Sequence, residues 1–342
     1  MSTALPDFET GVNYWANTEA SVNGVLGGYG EGTPVPRLDA TSSRLLILSL
    51  MPHLSTIPPP HHPSSSSSST TSPRRLEAAA RPFRALDCGA GIGRVTSTVL
   101  LPLFDSVELV EPVPAFVEQA KKDALEGRQG WKYLHQQSQQ QQRQRQPRQA
   151  NGRTDEPARG TDDDDALGQR AGEERTKAVR IWRAGLQHFD PARPAVAVSS
   201  RASSSSTGTV ELYATIGANP SCAFADPATP LDPTEQGYDL VMIQWCIGHL
   251  SDDELAEFLR RSHAALKRSK DGTVEGFIIV KENVCKDTEK DGRLFDDEDS
   301  SITRSDAAFR NVFKMANLTL LRREVQQGFP KELFPVVAYA LQ

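Results

Sequence analysis

No apolar run in this 342-residue chain approaches the ~20 residues that a membrane-spanning helix needs, so neither a span nor a membrane partner is expected. Excess basic charge is missing as well. Lys and Arg number 38 against 44 Asp and Glu, a net charge of -6, which argues against direct nucleic-acid binding through a basic surface. Only four cysteines occur, Cys88, Cys222, Cys246 and Cys285, without paired or metal-ligand spacing. The N-terminus lacks a basic-then-apolar signal pattern, so a reducing, intracellular setting is predicted. The adjacent His61 and His62 have no further ligands among the surrounding prolines and serines, and no metal site is expected.

Core-forming composition is scarce over three stretches. Residues 52–82 are rich in Pro and Ser, 135–176 in Gln, Arg and then acidic residues, and 191–235 in Pro, Ser, Ala and Gly. Setting these aside leaves roughly 230 residues, enough for one catalytic domain with insertions. The expected organisation is an N-terminal helical segment over 1–51, a low-complexity insertion over 52–82, and a domain over 83–341 interrupted by flexible insertions at 135–176 and 191–235. The strand-like Val210 to Ile216 falls inside the last insertion and is assigned to it.

What is present centres on Arg84 to Thr96, R-A-L-D-C-G-A-G-I-G-R-V-T. Ala85 and Leu86 close a short buried strand, and Asp87, Gly89, Gly91 and Gly93 form a turn leading into a helix near Arg94. Glycines at this density let the main chain approach a ligand with no Cβ in the way. The spacing departs from the G-x-G-x-x-G of nicotinamide dinucleotide sites, which favours an S-adenosylmethionine loop; an ordinary tight turn is the alternative. A second strand, V-E-L-V, runs into Glu111, placed to accept hydrogen bonds from both ribose hydroxyls of an adenosine cofactor. Pro112 and Pro114 leave a capped turn as the other reading.

Further along, Leu186 and Gln187 are either adenine contacts or part of an unliganded sheet-edge turn. Tyr238 to His249 opens as an apolar strand and places Gln244 and Trp245 where parallel sheets present ligand residues. Trp245 can equally seal a core, and His249 can cap the next helix. Ser251 and Glu254 form a capping box, with Leu255, Phe258 and Leu259 facing inward. The strand Gly276 to Asn283 ends in Lys281 and Glu282, read as a solvated pair, and in Asn283, which can fix a peptide or an amine. The acidic run Asp291 to Arg304 suits surface decoration, a metal loop or a seat for a cationic substrate, and Asp299 with Ser300 can also cap a helix. A helix over Phe309 to Leu320 would bury Phe313 and Met315, and the terminal strands form a hairpin. Near the start, Trp15 and the glycines of Ser21 to Gly30 suit a docked helix or a lid, and Asp39 to Met51 reads as a capped, packed helix.

In order, N-Y-W, G-V-L-G-G-Y-G, L-D-C-G-A-G-I-G-R-V-T, L-L-P-L-F, G-L-Q-H-F, I-Q-W-C-I-G-H-L, E-F-L-R-R and D-S-S-I-T-R resemble the eukaryotic alpha-N-terminal protein methyltransferases, or N-terminal Xaa-Pro-Lys methyltransferases. The resemblance covers about two thirds of the chain and skips the three low-complexity stretches. It implies a seven-stranded, class I, Rossmann-like α/β three-layer sandwich with an N-terminal helical lid, and S-adenosyl-L-methionine as cofactor. The implied activity is methylation of the free N-terminal α-amine of proteins exposing Xaa-Pro-Lys/Arg, ribosomal and chromatin-associated proteins among them, in the cytoplasm and also the nucleus. The cofactor residues it implies are Gly89, Gly91 and Arg94 at the methionine end, Glu111 at the ribose, and Leu186, Gln187 and Gln244 completing the shell. For substrate it implies Trp15, Trp245, Asn283, Asp296 and Asp299, with Asp299 and His249 as candidate bases. Three positions depart from the family pattern: Glu111 replaces Asp, Lys281-Glu282-Asn283 replaces K-D-N, and Phe334 replaces a substrate-site tyrosine. A small-molecule or side-chain methyltransferase, or an inactive protein that binds N-terminal peptides, are the alternative expectations.

Overall fold

The computed structural model describes residues 4–55, 82–135, 177–198, 208–217 and 224–342. His61, His62 and most of the expected insertions at 52–82 and 135–176 lie outside these residues. Ten strands are described: β1 (Arg84–Cys88), β2 (Ser106–Glu111), β3 (Ala178–Arg183), β4 (Glu211–Gly217), β5 (Leu240–Gln244), β6 (Phe277–Cys285), β7 (Arg293–Asp296), β8 (Ser301–Ser305), β9 (Leu320–Val325) and β10 (Val336–Leu341). The main path runs β4-β3-β2-β1-β5-β6-β10-β9. Pairings β1 to β2, β2 to β3, β1 to β5 and β5 to β6 are parallel, whereas β10 lies antiparallel between β6 and β9.

Seven of these strands form the expected Rossmann-like core, and three are additions. The antiparallel pair β7 and β8 joins the end of β6 at Val284 and Cys285. Strand β4, expected to belong to a flexible insertion, instead pairs antiparallel with β3 along Glu211 to Gly217. Its β-branched and aromatic residues pair well on a pleated surface despite the low-complexity sequence around them.

Among the described residues, six α-helices accompany the sheet: α1 (Phe8–Ala16), α2 (Val22–Val25), α3 (Val35–Leu50), α4 (Pro114–Glu126), α5 (Asp252–Ala264) and α6 (Asp306–Met315). Side chains alternate across the strands, so Leu86, Cys88 and Val110 join α5 and α6 in one core layer. Ala85, Val107 and Leu109 face the other way, against α3, α4 and the π-helical turn Thr96–Leu100. Helix α5 carries the expected capping box of Ser251 and Glu254. Helix α6 is capped by Ser305, not by Asp299 or Ser300, which lie between β7 and β8. It buries Phe313 but ends at Met315, whose side chain is exposed, and Leu320 already belongs to β9. Helix α3 starts before Asp39, with Pro36 in its first turn, so Asp39 lies inside the helix and is not a cap.

The chain leaves β1 toward β2 and β3, then returns to β5 on the other side of β1. Such a reversal opens a crevice beyond the carboxyl ends of the strands, where open α/β sheets bind ligands.

Candidate active site

A cleft open to solvent occupies this crevice. Gly89, Gly91, Arg94, Glu111, Leu186, Gln187 and Gln244 all line it, together with Trp15, Trp245 and His249. Asn283, Asp296 and Asp299 do not. They sit beyond it, Asn283 near the end of β6 and the two aspartates around the β7–β8 turn. The N-terminal segment adds Phe8, Gly11, Val12 and Val25 to the lining, which the sequence did not single out residue by residue.

The turn after β1 depends on glycine. Gly89 has φ of 60°, and a Cβ there would stand 2.2 Å from the Cβ of Cys246. The amide of Gly91 donates to Glu111 Oε2 at 2.8 Å, and that of Val113 to Oε1 at 2.9 Å. Burial pushes the Glu111 carboxyl up to about 7, although both amides favour its ionised form. Asp87, under the same loop, is raised by burial to about 6 while it accepts the Thr96 hydroxyl at 2.5 Å. Both acids line the cleft.

Asp39 is fully buried and joins three elements. It accepts from Arg94 at 2.6 Å, from Lys281 at 2.5 Å and from the Gln244 amide at 2.9 Å on each oxygen. Lys281 also donates to Ser42 and Ser43, each at 3.0 Å. The expected solvated pair is therefore buried: Lys281 and Glu282 are 2% and 8% exposed. Lys281 points to Asp39, whereas Glu282 is raised by burial to about 7.

On the open side, Trp245 leaves β5 with φ of 54°, a strained conformation for a bulky residue. The Arg94 guanidinium lies over its ring, 5.4 Å from the centroid. The Trp15 indole donates to His249 Nε2 at 2.9 Å, so a neutral His249 carries its proton on Nδ1. Burial lowers the pKa of His249 against the opposing charge of Asp299. Asp299 Oδ1 is buried without a hydrogen-bond partner among the described residues. Asp7 N–H donates to Ser300 Oγ at 2.9 Å and fixes the start of α1 to the β7–β8 turn. Phe334, at the position where the family pattern has a tyrosine, is exposed.

The strand order, the glycine turn and the cleft at the sheet's reversal define a class I methyltransferase that uses S-adenosylmethionine. A family described as AdoMet dependent proline di-methyltransferase matches residues 64–143 and 215–342. The chain belongs to this family, the alpha-N-terminal protein methyltransferases. Alpha N-terminal protein methyltransferase 1 of Arabidopsis thaliana is 29% identical over 337 residues, covering 98% of this chain and 79% of that protein. N-terminal Xaa-Pro-Lys N-methyltransferase 1-B of Xenopus laevis is 28% identical over 347 residues, covering 100% of both. The solved structure of a SAM-dependent methyltransferase from Leishmania major shares the fold, with a TM-score of 0.54 and 23% identity, over 98% of this chain and 82% of that one.

The residues present fit the cofactor. At Gly91 a Cβ would stand in the open cleft, with only Val25 within 4 Å, so the backbone there leaves room for a ligand; Arg94 would be a cation for its carboxylate and Glu111 a buried acceptor for its ribose. The buried Gln244 Oε1 has no partner among the described residues and offers an acceptor for its ammonium group.

Proposed function

We propose that this protein methylates the free N-terminal α-amine of proteins that expose Xaa-Pro-Lys or Xaa-Pro-Arg. The observation that carries the reading is the conjunction at the open end of the cleft. A neutral imidazole, His249, lies there under the influence of the half-buried Asp299, whose Oδ1 is buried, and next to Trp15 and Trp245. The family description names proline, and the Xenopus relative's name specifies Xaa-Pro-Lys, which supports the same substrate.

The bound cofactor supplies an electrophilic methyl group on a sulfonium. The chain's own task is to hold an amine in its neutral form. An α-amine with a pKa of about 8 is already roughly one tenth neutral at pH 7, so a modest acceptor is sufficient. Asp299 is the first base, because its free Oδ1 can seat the ammonium and take its proton. His249 has its one acceptor nitrogen, Nε2, engaged by Trp15 and acts as the orienting partner; it serves as second base only once the indole releases Nε2. Asn283 holds the peptide terminus. The two tryptophans favour the cationic amine by roughly 0.5–2 kcal/mol where the geometry is good. The exposed Asp296 and Asp297, with Glu298 beside them, attract the third-position Lys or Arg.

The deciding experiment is mass-resolved methyl transfer to a peptide beginning Ser-Pro-Lys and to its N-acetylated control. Transfer to the free peptide alone is expected, and equal transfer to both would reject the reading. Asp299→Ala and His249→Ala should each reduce turnover without abolishing cofactor binding; unaltered turnover in both variants across pH removes their assigned roles.

A further inference from the structure

Asp39 contributes no atom to the lining of the cleft, yet it touches two residues that do line it. An ionised carboxylate offers only acceptors. The Gln244 side-chain atom 2.9 Å from both Asp39 oxygens must therefore be the amide nitrogen, whichever way the amide would otherwise turn. That orientation makes Oε1 the remaining atom, and Oε1 is buried with no partner among the described residues. The same carboxylate draws the Arg94 guanidinium to 2.6 Å and leaves its other N–H groups for a further acceptor. Lys281, Ser42 and Ser43 surround the carboxylate, and Arg94 and Lys281 outweigh its burial and keep its pKa below the ordinary value.

We propose that Asp39 is a positioning residue that sets the polarity of the cleft's amino-acid end. It presents Arg94 as the donor for the cofactor's carboxylate and Gln244 Oε1 as the acceptor for its ammonium. An α-amino acid end carries this pair of opposite charges, and the protein reads it through a carboxylate that the ligand never touches. The proposal rests on the cleft being the cofactor site, and the test separates the two.

The test is equilibrium binding of two nucleosides by calorimetry. S-adenosylhomocysteine carries the amino-acid end; 5′-methylthioadenosine has a methyl group in its place. An amide at position 39 offers one acceptor and one donor, so Gln244 can turn over and Arg94 loses its charged partner. Asp39→Asn should weaken S-adenosylhomocysteine by about 10- to 100-fold and 5′-methylthioadenosine by less than about twofold. Asp39→Asn also leaves Lys281 buried without its counter-charge, so Asp39→Asn/Lys281→Met provides a second variant, with the same selective loss expected. Unchanged S-adenosylhomocysteine affinity in a folded variant, or an equal loss for both nucleosides, overturns the assignment. A wild-type protein that binds neither nucleoside refutes the reading of the cleft itself.

Discussion

With Glu111 as the proposed ribose acceptor, cofactor affinity should depend on pH. The Glu111 carboxyl is 5% exposed and raised to about 7, with burial outweighing the amides of Val113 and Gly91. In the free protein it is therefore mostly protonated at pH 6 and mostly ionised at pH 8. Accepting two ribose hydroxyls requires the ionised form, because a protonated acid gives one oxygen over to donation. With a pKa of about 7, the competent fraction is roughly one tenth at pH 6 and roughly nine tenths at pH 8. The dissociation constant for S-adenosylhomocysteine should thus rise about tenfold from pH 8 to pH 6, and binding at pH 7 should release about half a proton. Calorimetry in buffers of different ionisation enthalpy measures both quantities. Asp87, raised to about 6, also lines the cleft, so Glu111→Gln is needed to separate the two. That variant should bind more weakly at pH 8 and lose the tenfold dependence. A wild-type affinity that is flat between pH 6 and 8, or a Gln variant that keeps the wild-type slope, would refute the reasoning.

Gly89→Ala places a Cβ 2.2 Å from the Cys246 Cβ at a φ of 60°, and should cost at least about 2 kcal/mol in urea unfolding while weakening S-adenosylhomocysteine. Arg304 is fully buried and donates to Asp252 at 2.9 Å, to the Ile247 carbonyl at 3.0 Å and to the Leu250 carbonyl. Arg304→Met leaves these acceptors behind and should destabilise by about 3–5 kcal/mol, read in the same assay. Trp15→Phe removes a hydrogen bond to neutral His249 worth about 1 kcal/mol, so the His249 pKa should rise and its nitrogen-15 NMR spectrum should change from one tautomer to a mixture. Asp87, Glu111 and Glu282 keep their protons in the fold up to about pH 6, 7 and 7, whereas the unfolded chain loses them near pH 4 to 4.5. The unfolded state then binds fewer protons, so stability of the ligand-free protein should fall as pH rises from about 5 to 7, seen as a lower urea midpoint at pH 7.5 than at 5.5.

What was legible in the sequence is what depends on neighbours in the chain. The strand, glycine turn and helix around Gly89 follow from local backbone constraints, and Glu111 follows from its place at the end of β2. Residues from four separated motifs line one cleft because parallel strands bring their carboxyl ends together. Asp39 could not be read in this way. Its partners lie 55, 205 and 242 positions away, and a lone carboxylate at the head of an apolar helix has the pattern of a cap. Lys281 and Glu282 look solvated until Asp39 arrives from another element and β10 pairs with their strand. Strand β4 is hidden differently: its alternation is clear, but the surrounding composition masks it.

The N-terminal segment is more than a cover laid over a finished site. Helix α1 gives Phe8, Gly11, Val12 and Trp15 to the cleft wall, and Val25 follows from α2. Gly11 leaves room for His249 beside α1: a Cβ there would stand 2.8 Å from the imidazole Nδ1. From α3, Asp39 pairs with both Arg94 and Lys281, two cations that the remainder of the fold would otherwise bring together around Gln244 without a counter-charge. A Rossmann-like core beginning at β1 would therefore lack an aromatic wall of the cleft and keep two buried positive charges uncompensated, a costly arrangement. The change of composition after residue 51 marks a boundary in the sequence, but the packing crosses it: Asp39 of α3 holds Arg94 and Gln244, and Trp15 of α1 holds His249, all three of them residues of the cleft wall.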